Sequence, residues 1–362
     1  MAEARNPGIG SDRPIKVNKE ERRNRIVQLI EQSGGKQVLG TRELAQVLDV
    51  SEMTVRRDLR DLSQEGLLRR QHGGAGPLRQ PPDKHKNEIG VLLVSRTGKF
   101  SDPFFNAVLE GADRRLRELG YRIAYINSRA EVDTEVQARA LLQSTTVSGL
   151  ILVGPALSTE TLDALKARMP VLVATAATIG PDYDGITMDG YCGIRQMVDH
   201  LVRRGRRRLG FISGNNDSRR RGYTEGVGAH GLPADSGLNL LIPPTIEGWT
   251  PELGHAGAEQ LMQLAEPPDA IVCASDLIAI GVIQWLHQHK YRVPEDIAVT
   301  GFDNIPESAF TVPSLTTVNV YKQLIGALAA ERVVKRIENE DEIPLQIKTP
   351  TKLVIRHSCG SE

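Results

Sequence analysis

Arg56, Arg57 and Arg60 follow Ser51 and Thr54 within ten residues, and Arg69, Arg70 and His72 come shortly after. Guanidinium forks bind phosphate oxygens and the acceptor edge of guanine, and short hydroxyls bind phosphate, so the set suits a nucleic-acid surface. The elements that must position it are legible in Thr41 to Gly76, TRELAQVLDVSEMTVRRDLRDLSQEGLLRRQHGGAG. Thr41 and Ser51 stand where helix N-caps belong, since each offers an oxygen to an orphan N–H of a first turn. In the second helix Val55, Leu59 and Leu62 recur at i, i+4 and i+7 as a buried stripe, which leaves Met53, Arg57 and Arg60 opposite and Arg56 beside them. The first helix brings Leu44, Val47 and Leu48 as its apolar side. That geometry places the start of the second helix in a DNA major groove. Leu67 to Gly74 reads as a β-wing whose glycines permit close approach to phosphates.

Taken alone, VRRDLRDL also fits an ordinary amphipathic helix with solvated arginines. The longer run decides for binding: Glu21-Arg22-Arg23-Asn24-Arg25-Ile26, Leu44-Ala45, Val50-Ser51, Thr54 to Leu59, Glu65-Gly66 and Arg70-x-His72-Gly73-Gly74-Ala75. In that order and spacing it closely resembles the winged helix-turn-helix of the DeoR family of bacterial transcription regulators. The resemblance implies double-stranded operator DNA as a partner, with Thr41, Ser51, Thr54, Arg56, Arg57, Arg69, Arg70 and His72 at the contact.

The 362 residues are enough for more than one domain. Lys plus Arg equals Asp plus Glu at 45 each, so overall charge is silent about partners. Its distribution is not: residues 1–86 hold 17 Lys/Arg against 12 Asp/Glu and the rest 28 against 33, the sign expected of an N-terminal nucleic-acid module. No apolar run is long enough for a membrane span and the polar N-terminus has no export core, so the expected location is the cytoplasm. Cys192, Cys273 and Cys359 are widely spaced without a CxxC pair, which suggests neither disulfides nor zinc and gives each the role of a small buried residue.

Residues 1–17 read as a disordered tail. Residues 18–76 form the DNA-binding module, with a support helix from Lys19 to about Gln32 lined by Ile26, Leu29 and Ile30, and Val38-Leu39 as a short strand against the wing. The glycine- and proline-rich stretch His72 to Asn87 reads as a linker, with its core at 77–87 and a flexible reach of about 20–24 Å. From residue 88 the pattern becomes alternating strands and helices. Buried strands are expected at Ile89–Val94, Ile123–Ile126, Leu150–Val153, Val171–Ala174, Leu209–Ile212, Ala270–Cys273 and Ile297–Thr300. Helices are expected at Phe105–Leu119, Thr134–Gln143, Thr159–Arg168, Ile194–Arg203, Ala258–Leu264 and Ile278–His287. The fold class is therefore α/β, with two doubly wound parallel-sheet lobes after the helical module. In such sheets ligands bind beyond the carboxyl ends of the strands.

The loops there carry Asp102-Pro103-Phe104-Phe105, Arg219-x-x-Gly222-Tyr223, Pro268 to Asp276, Val293-Pro294 to Asn304, Pro313 to Val318 and Leu353 to Cys359. Over residues 89–360 these motifs resemble the effector-binding region of the LacI/GalR regulators, which is similar to periplasmic sugar-binding proteins. The likeness implies two hinged lobes, about 88–190 with 318–350 and about 191–317 with 351–362. Crossovers fall near Asp189-Gly190, at Thr316–Val318 and before Leu353. It also implies effector contacts at Phe105, Arg219, Trp249, Ser275, Asp276 and Asp303. Chemistry agrees: Arg219 and Asp303 offer bidentate planar groups to sugar hydroxyls, and Trp249 or Phe105 an aromatic face to the ring. Each also has a plainer role, Phe105 in the core, Asp276 and Asp303 as helix caps, and Arg219 solvated with Arg220 and Arg221.

DeoR regulators usually carry a different sensor, and LacI-type sensors usually follow a minor-groove hinge helix, whose place is taken here by the wing and linker. Enzyme motifs are poor. Gly226-x-Gly228-x-x-Gly231 fits the dinucleotide fingerprint by letter but follows a helical pattern, and His287 and His289 cannot share a helix face. No catalytic residue, metal or cofactor is expected. The sequence thus points to a sugar-responsive transcription regulator, a repressor and a homodimer, with purine sensing or a ligand-binding protein without DNA as the alternatives.

Overall fold

The computed structural model describes residues 18–32, 39–64, 67–71, 74–76, 87–93, 102–128, 146–154, 157–176, 179–215, 217–242, 249–339 and 343–360, with 137 and 140 as single positions. The expected tail, the wing tip at His72-Gly73, most of the linker, Val38, Val94 and nearly all of the helix Thr134–Gln143 lie outside the described residues. Two compact units divide the chain, Met1–Pro82 and Asp83–Glu362.

The first unit runs α1 (Lys19–Gln32), β1 (Leu39–Gly40), α2 (Thr41–Val47), α3 (Glu52–Gln64), β2 (Arg69–Gln71) and β3 (Gly74–Gly76). Its strands form a small antiparallel sheet in the order β1-β3-β2. Ile26, Ile30, Leu44, Val55, Leu59, Leu62 and Leu68 make one apolar core. Arg22 clamps the buried Asp58 of α3 from α1, with Nε donating to Oδ2 at 2.6 Å and Nη2 to Oδ1 at 3.3 Å. This fixes the support helix across the back of α3, because a forked guanidinium matches a carboxylate geometrically.

Two details depart from the sequence reading. Thr41 is not a cap: Gly40 holds that position in extended backbone, and the Glu43 carboxylate accepts from the Gly40 N–H at 3.4 Å, so Thr41 becomes the buried first residue of α2. Val47 is 60% exposed while Ala45 is buried. At about 100° per residue, Ala45 and Leu48 turn to one side of Leu44 and Val47 to the other.

The second unit opens with β4 (Glu88–Leu93), α4 (Pro103–Glu118), β5 (Arg122–Ser128), β6 (Gly149–Val153), α5 (Thr159–Lys166), β7 (Val171–Ala174) and β8 (Asp184–Met188). The chain then passes through Asp189 into α6 (Gly190–Arg203), β9 (Leu209–Ser213), α7 (Ser218–Ala229), β10 (Asn239–Leu241), α8 (Pro251–Met262), β11 (Ala270–Cys273), α9 (Asp276–Gln288) and β12 (Ala298–Thr300). It returns by β13 (Thr317–Val320) to α10 (Lys322–Glu338) and β14 (Gln346–Thr349), and crosses again by β15 (Thr351–Val354).

Lobe 1 is a parallel sheet in the order β14-β8-β7-β6-β4-β5, and lobe 2 a parallel sheet β10-β9-β11-β12. β13 and β15 pair antiparallel as a separate ribbon where the chain crosses between lobes. β4, β6, β7, β9 and β11 are buried along their whole length, the pattern of strands covered on both faces. Helix packing in each lobe depends on paired glycines. A Cβ on Gly326 of α10 would stand 1.9 Å from the Val108 carbonyl oxygen of α4, and one on Gly281 of α9 1.9 Å from that of Pro251 in α8. Gly226, Gly228 and Gly231 sit on α7 and just beyond its end, away from any strand-to-helix turn. Cys273 and Cys359 are buried, whereas Cys192 is exposed near the start of α6, so the small buried role holds for two of the three.

Candidate functional site

Two faces hold the expected site residues, one in each unit. On the first, Ser51 caps α3: its Oγ accepts from Thr54 N–H at 3.2 Å and lies 2.9 Å from Thr54 Oγ1. One hydroxyl hydrogen is spent between the two, and the other stays free to donate outward. Arg56, Arg57 and Arg60 are exposed, and Arg56 pairs loosely with Glu52 one turn back at 3.7 Å. Asp61 is held by Lys19 at 3.0 Å and depressed in pKa, by that hydrogen bond first and by Lys19, Arg23 and Arg57 as charges. Asp58 and Asp61 of α3 therefore face α1, while Glu52 lies by Arg56 at the helix start and Arg57 and Arg60 stay exposed. Arg69 and Arg70 lie on β2, opposite Gly76 and Ala75; their side chains, and His72, fall outside the described residues. Thr41 is buried and away from this face.

The second face lies beyond the carboxyl ends of the lobe strands. Asp217 caps α7, accepting from the Arg219 N–H at 2.9 Å. The same carboxylate holds the Arg219 guanidinium, with Nε 3.0 Å from Oδ2 and a further contact from Nη2, while Nη1 donates to the Ala274 carbonyl at 3.1 Å. The guanidinium carbon sits 3.9 Å from the Trp249 ring centre and 5.4 Å from that of Phe302. Arg219 is thus a fixed plate, not one of a solvated trio.

Asp303 is buried, at φ 111°. Burial pushes its carboxyl well above the ordinary range, with Arg219 and Lys322 opposing and Asp276 and Asp102 adding to the rise. Those charges place Asp102 of lobe 1 and Arg219 of lobe 2 around the same carboxyl. Asp102 caps α4 by accepting from Phe104 N–H at 2.8 Å, and burial raises its pKa too. Phe104 is the core ring; Phe105 is half-buried and meets it edge-on at 5.6 Å.

Ser275 and Asp276 both make structural bonds, and for Asp276 these replace the expected effector contact. Ser275, not Asp276 or Asp303, caps α9, accepting from Ile278 N–H at 3.3 Å. Asp276 is fully buried and both its oxygens are used, Oδ1 by the Thr317 hydroxyl at 2.5 Å and Oδ2 by Ile305 N–H at 2.8 Å. It braces the crossover ribbon instead of facing the crevice. Lys322 braces the same place, donating to the carbonyls of Asp303 (2.5 Å), Asn304 (3.0 Å) and Val320 (3.3 Å). Asp217 and Lys322 were not singled out in the sequence, and Asp102 and Phe302 only as members of longer motifs. A capping Asp two residues before the arginine was the one available signal for Asp217. Thr175 was missed as well. It follows β7 at φ 68°, and its hydroxyl is buried without a hydrogen-bond partner among the described residues. No group of three His, Cys, Asp or Glu among the described residues could hold a metal ion.

Comparison with known proteins agrees with both halves. A DeoR-like helix-turn-helix domain matches residues 22–80, and a periplasmic binding protein-like domain matches residues 198–359. The fold and the two matches define a two-module protein: the chain joins a DeoR-like helix-turn-helix to a periplasmic-binding-protein-like α/β domain. It is similar to the arabinose metabolism transcriptional repressor of Geobacillus stearothermophilus, 29% identical over 329 residues, 87% of this chain and 89% of that protein. The HTH-type transcriptional repressor PurR of Yersinia enterocolitica is 28% identical over 280 residues, 76% of this chain and 81% of its own. Among solved structures, a transcriptional regulator CelR–cellobiose complex superposes with a TM-score of 0.68 at 24% identity, over 85% of this chain and 91% of that one. A LacI transcriptional regulator from a Rhodococcus species superposes at 0.65 and 25% identity, over 75% and 97%.

Proposed function

We infer that this chain is a sequence-specific DNA-binding transcription regulator, a repressor acting as a homodimer in the cytoplasm, controlled by a small sugar-like effector held between the two lobes. The observation that carries the effector half is Arg219, oriented by Asp217 and stacked on Trp249 beside Asp303. A planar donor, a carboxyl and an aromatic face together are the groups that grip a polyhydroxyl ring. Phe105 and Thr175 supply the lobe 1 side. The charge of Arg219 is already matched by Asp217, so the crevice favours an uncharged ligand over a phosphorylated one. For the DNA half, Arg56 and Arg57 with Arg69, Arg70 and His72 contact phosphates and bases. Ligand closing the lobes alters the spacing of two DNA-binding heads, a coupling of about 1–3 kcal/mol.

The test uses the full chain. Duplexes are selected from a random-sequence library by the protein itself and measured by band shift, and calorimetry is run with free sugars, sugar phosphates and purines. Arg57→Ala is expected to weaken duplex binding with ligand binding intact. A protein that ignores duplex DNA at low salt overturns the reading, and heat only with purines overturns its sugar part; purines are the second candidate because some sensors of the LacI type, which residues 89–360 resemble, bind them.

A further inference from the structure

α3 exposes one large apolar side chain. Met53 is 75% exposed, whereas the other apolar residues of the helix, Val55, Leu59 and Leu62, are buried to within 2%. It stands on the second position of the helix, one turn before Arg57 and on the same cationic face. Its polar neighbours are already occupied among themselves: the Ser51 and Thr54 hydroxyls lie 2.9 Å apart with Ser51 capping Thr54 N–H, and Glu52 faces Arg56 at 3.7 Å. An unpacked thioether at the leading end of a groove-facing helix therefore has no role in the fold of its own unit.

The major groove presents one apolar group, the C5-methyl of thymine. Resting on the operator-binding reading above, we propose that Met53 selects thymine by packing its thioether on that methyl, while Arg56 and Arg57 take phosphate and guanine edges. Met53 is then a specificity-determining residue, and the hydroxyls of Ser51 and Thr54 serve the helix start, with one hydrogen left for a phosphate oxygen. The flexible, polarizable side chain suits a contact formed only on docking.

The experiment compares the full native chain with Met53→Ala on the duplex each selects, replacing every thymine in turn by deoxyuridine, which removes only the methyl. At one or two positions per half-site the native protein is expected to bind about four-fold more weakly, the value of one buried methyl-sized group. Met53→Ala is expected to lose that discrimination at the same positions while melting at the native temperature. Native protein indifferent to every deoxyuridine, or a Met53→Ala protein that keeps the full penalty, overturns the proposal while the operator reading stands. Failure to bind any duplex overturns both.

Discussion

The guanidinium of Arg219 lies 3.9 Å from the centre of the Trp249 ring, clamped from the other side by Asp217 and the Ala274 carbonyl. Its position is set before any ligand arrives, so ligand binding need not order it, and preorganisation of this kind lowers the entropic cost of association. Asp217→Asn keeps the size of the cap but removes the charge that orients the arginine. We expect effector affinity to fall by about ten-fold, the effect of one lost charge-assisted contact of ~1.5 kcal/mol. Arg219→Ala should abolish the response, and duplex binding without ligand should be unchanged in both. Calorimetry with the best sugar, paired with band shifts, reads this; an unchanged response in Arg219→Ala places the pocket elsewhere.

Stability should depend on pH through the carboxyls under the crossover ribbon. Burial raises Asp276 from 3.8 to about 7, opposed by the Thr317 hydroxyl, the Ile305 N–H and the charges of Lys322 and Arg356, and Asp303 moves in the same direction. An acid whose folded pKa lies above its unfolded value holds more proton in the native state, so stability falls as pH rises between those values. As far as these groups decide, the second unit is expected to be most stable at about pH 4 and below, and to lose stability as pH rises through about 7, where Asp276 titrates. Asp276→Asn mimics the protonated form, since its amide can donate to Thr317 while its oxygen accepts from Ile305. Melting curves from pH 4.5 to 8 should therefore be flatter for this variant; an unaltered slope would show that Asp276 does not titrate there.

Close helix approach makes Gly326 a sensitive position. Its missing Cβ would meet the Val108 carbonyl oxygen at 1.9 Å, and that of Gly111 on the facing helix would meet the Gln323 carbonyl oxygen at 2.1 Å. Both obstacles are backbone, which cannot swing away as a side chain can. Gly326→Ala should cost about 1–3 kcal/mol by forcing α4 and α10 apart. Gly228→Ala, where nothing lies within 4 Å, should be neutral or stabilising, since alanine is the better helix former. Equal denaturation midpoints for the two variants would contradict the packing account.

The parts of this fold that could be read from residues are those where a local pattern has one physical solution. Continuous apolar strands such as Leu150 to Val153 and Val171 to Ala174 are wet on neither face, and Ser51 caps because nothing else near it can. Other parts depend on partners far along the chain. Helix α10 buries Gly326, Ala329, Ala330 and Arg332 among Ile325, Val333 and Val334, so small and charged residues dilute its apolar face. Arg332 takes its partners from distant segments, Asp184 at 2.5 Å across 148 residues and the Ile343 carbonyl. The edge strands β14 and β15 are partly exposed and mixed in polarity. Asp276 looked like a ligand group because it follows a strand, yet Thr317, 41 residues on, claims its oxygen. The charged helix stripe identified the cationic face well, but which of its hydroxyls were spoken for required coordinates.

Thr175 gives the sharpest separation between folding and function. A β-branched residue at φ 68° is strained, since its Cβ crowds the backbone there, and such strain costs about 1–3 kcal/mol. Its hydroxyl is also buried without a partner among the described residues, a second cost to folding. Neither feature helps lobe 1 fold, while the place, just past the carboxyl end of β7, is where α/β sheets receive ligands. Thr175→Val keeps the shape and the strain but removes the polar group. It is expected to be at least as stable as the native chain and to bind effector roughly five- to ten-fold more weakly, one neutral hydrogen bond's worth. Thr175→Gly should release the strain and raise stability by up to about 1 kcal/mol, with the same loss of affinity. Thermal melts and calorimetry on both variants separate the possibilities. A destabilised Thr175→Val would reveal a structural partner for the hydroxyl, and native affinity in both would remove Thr175 from the pocket.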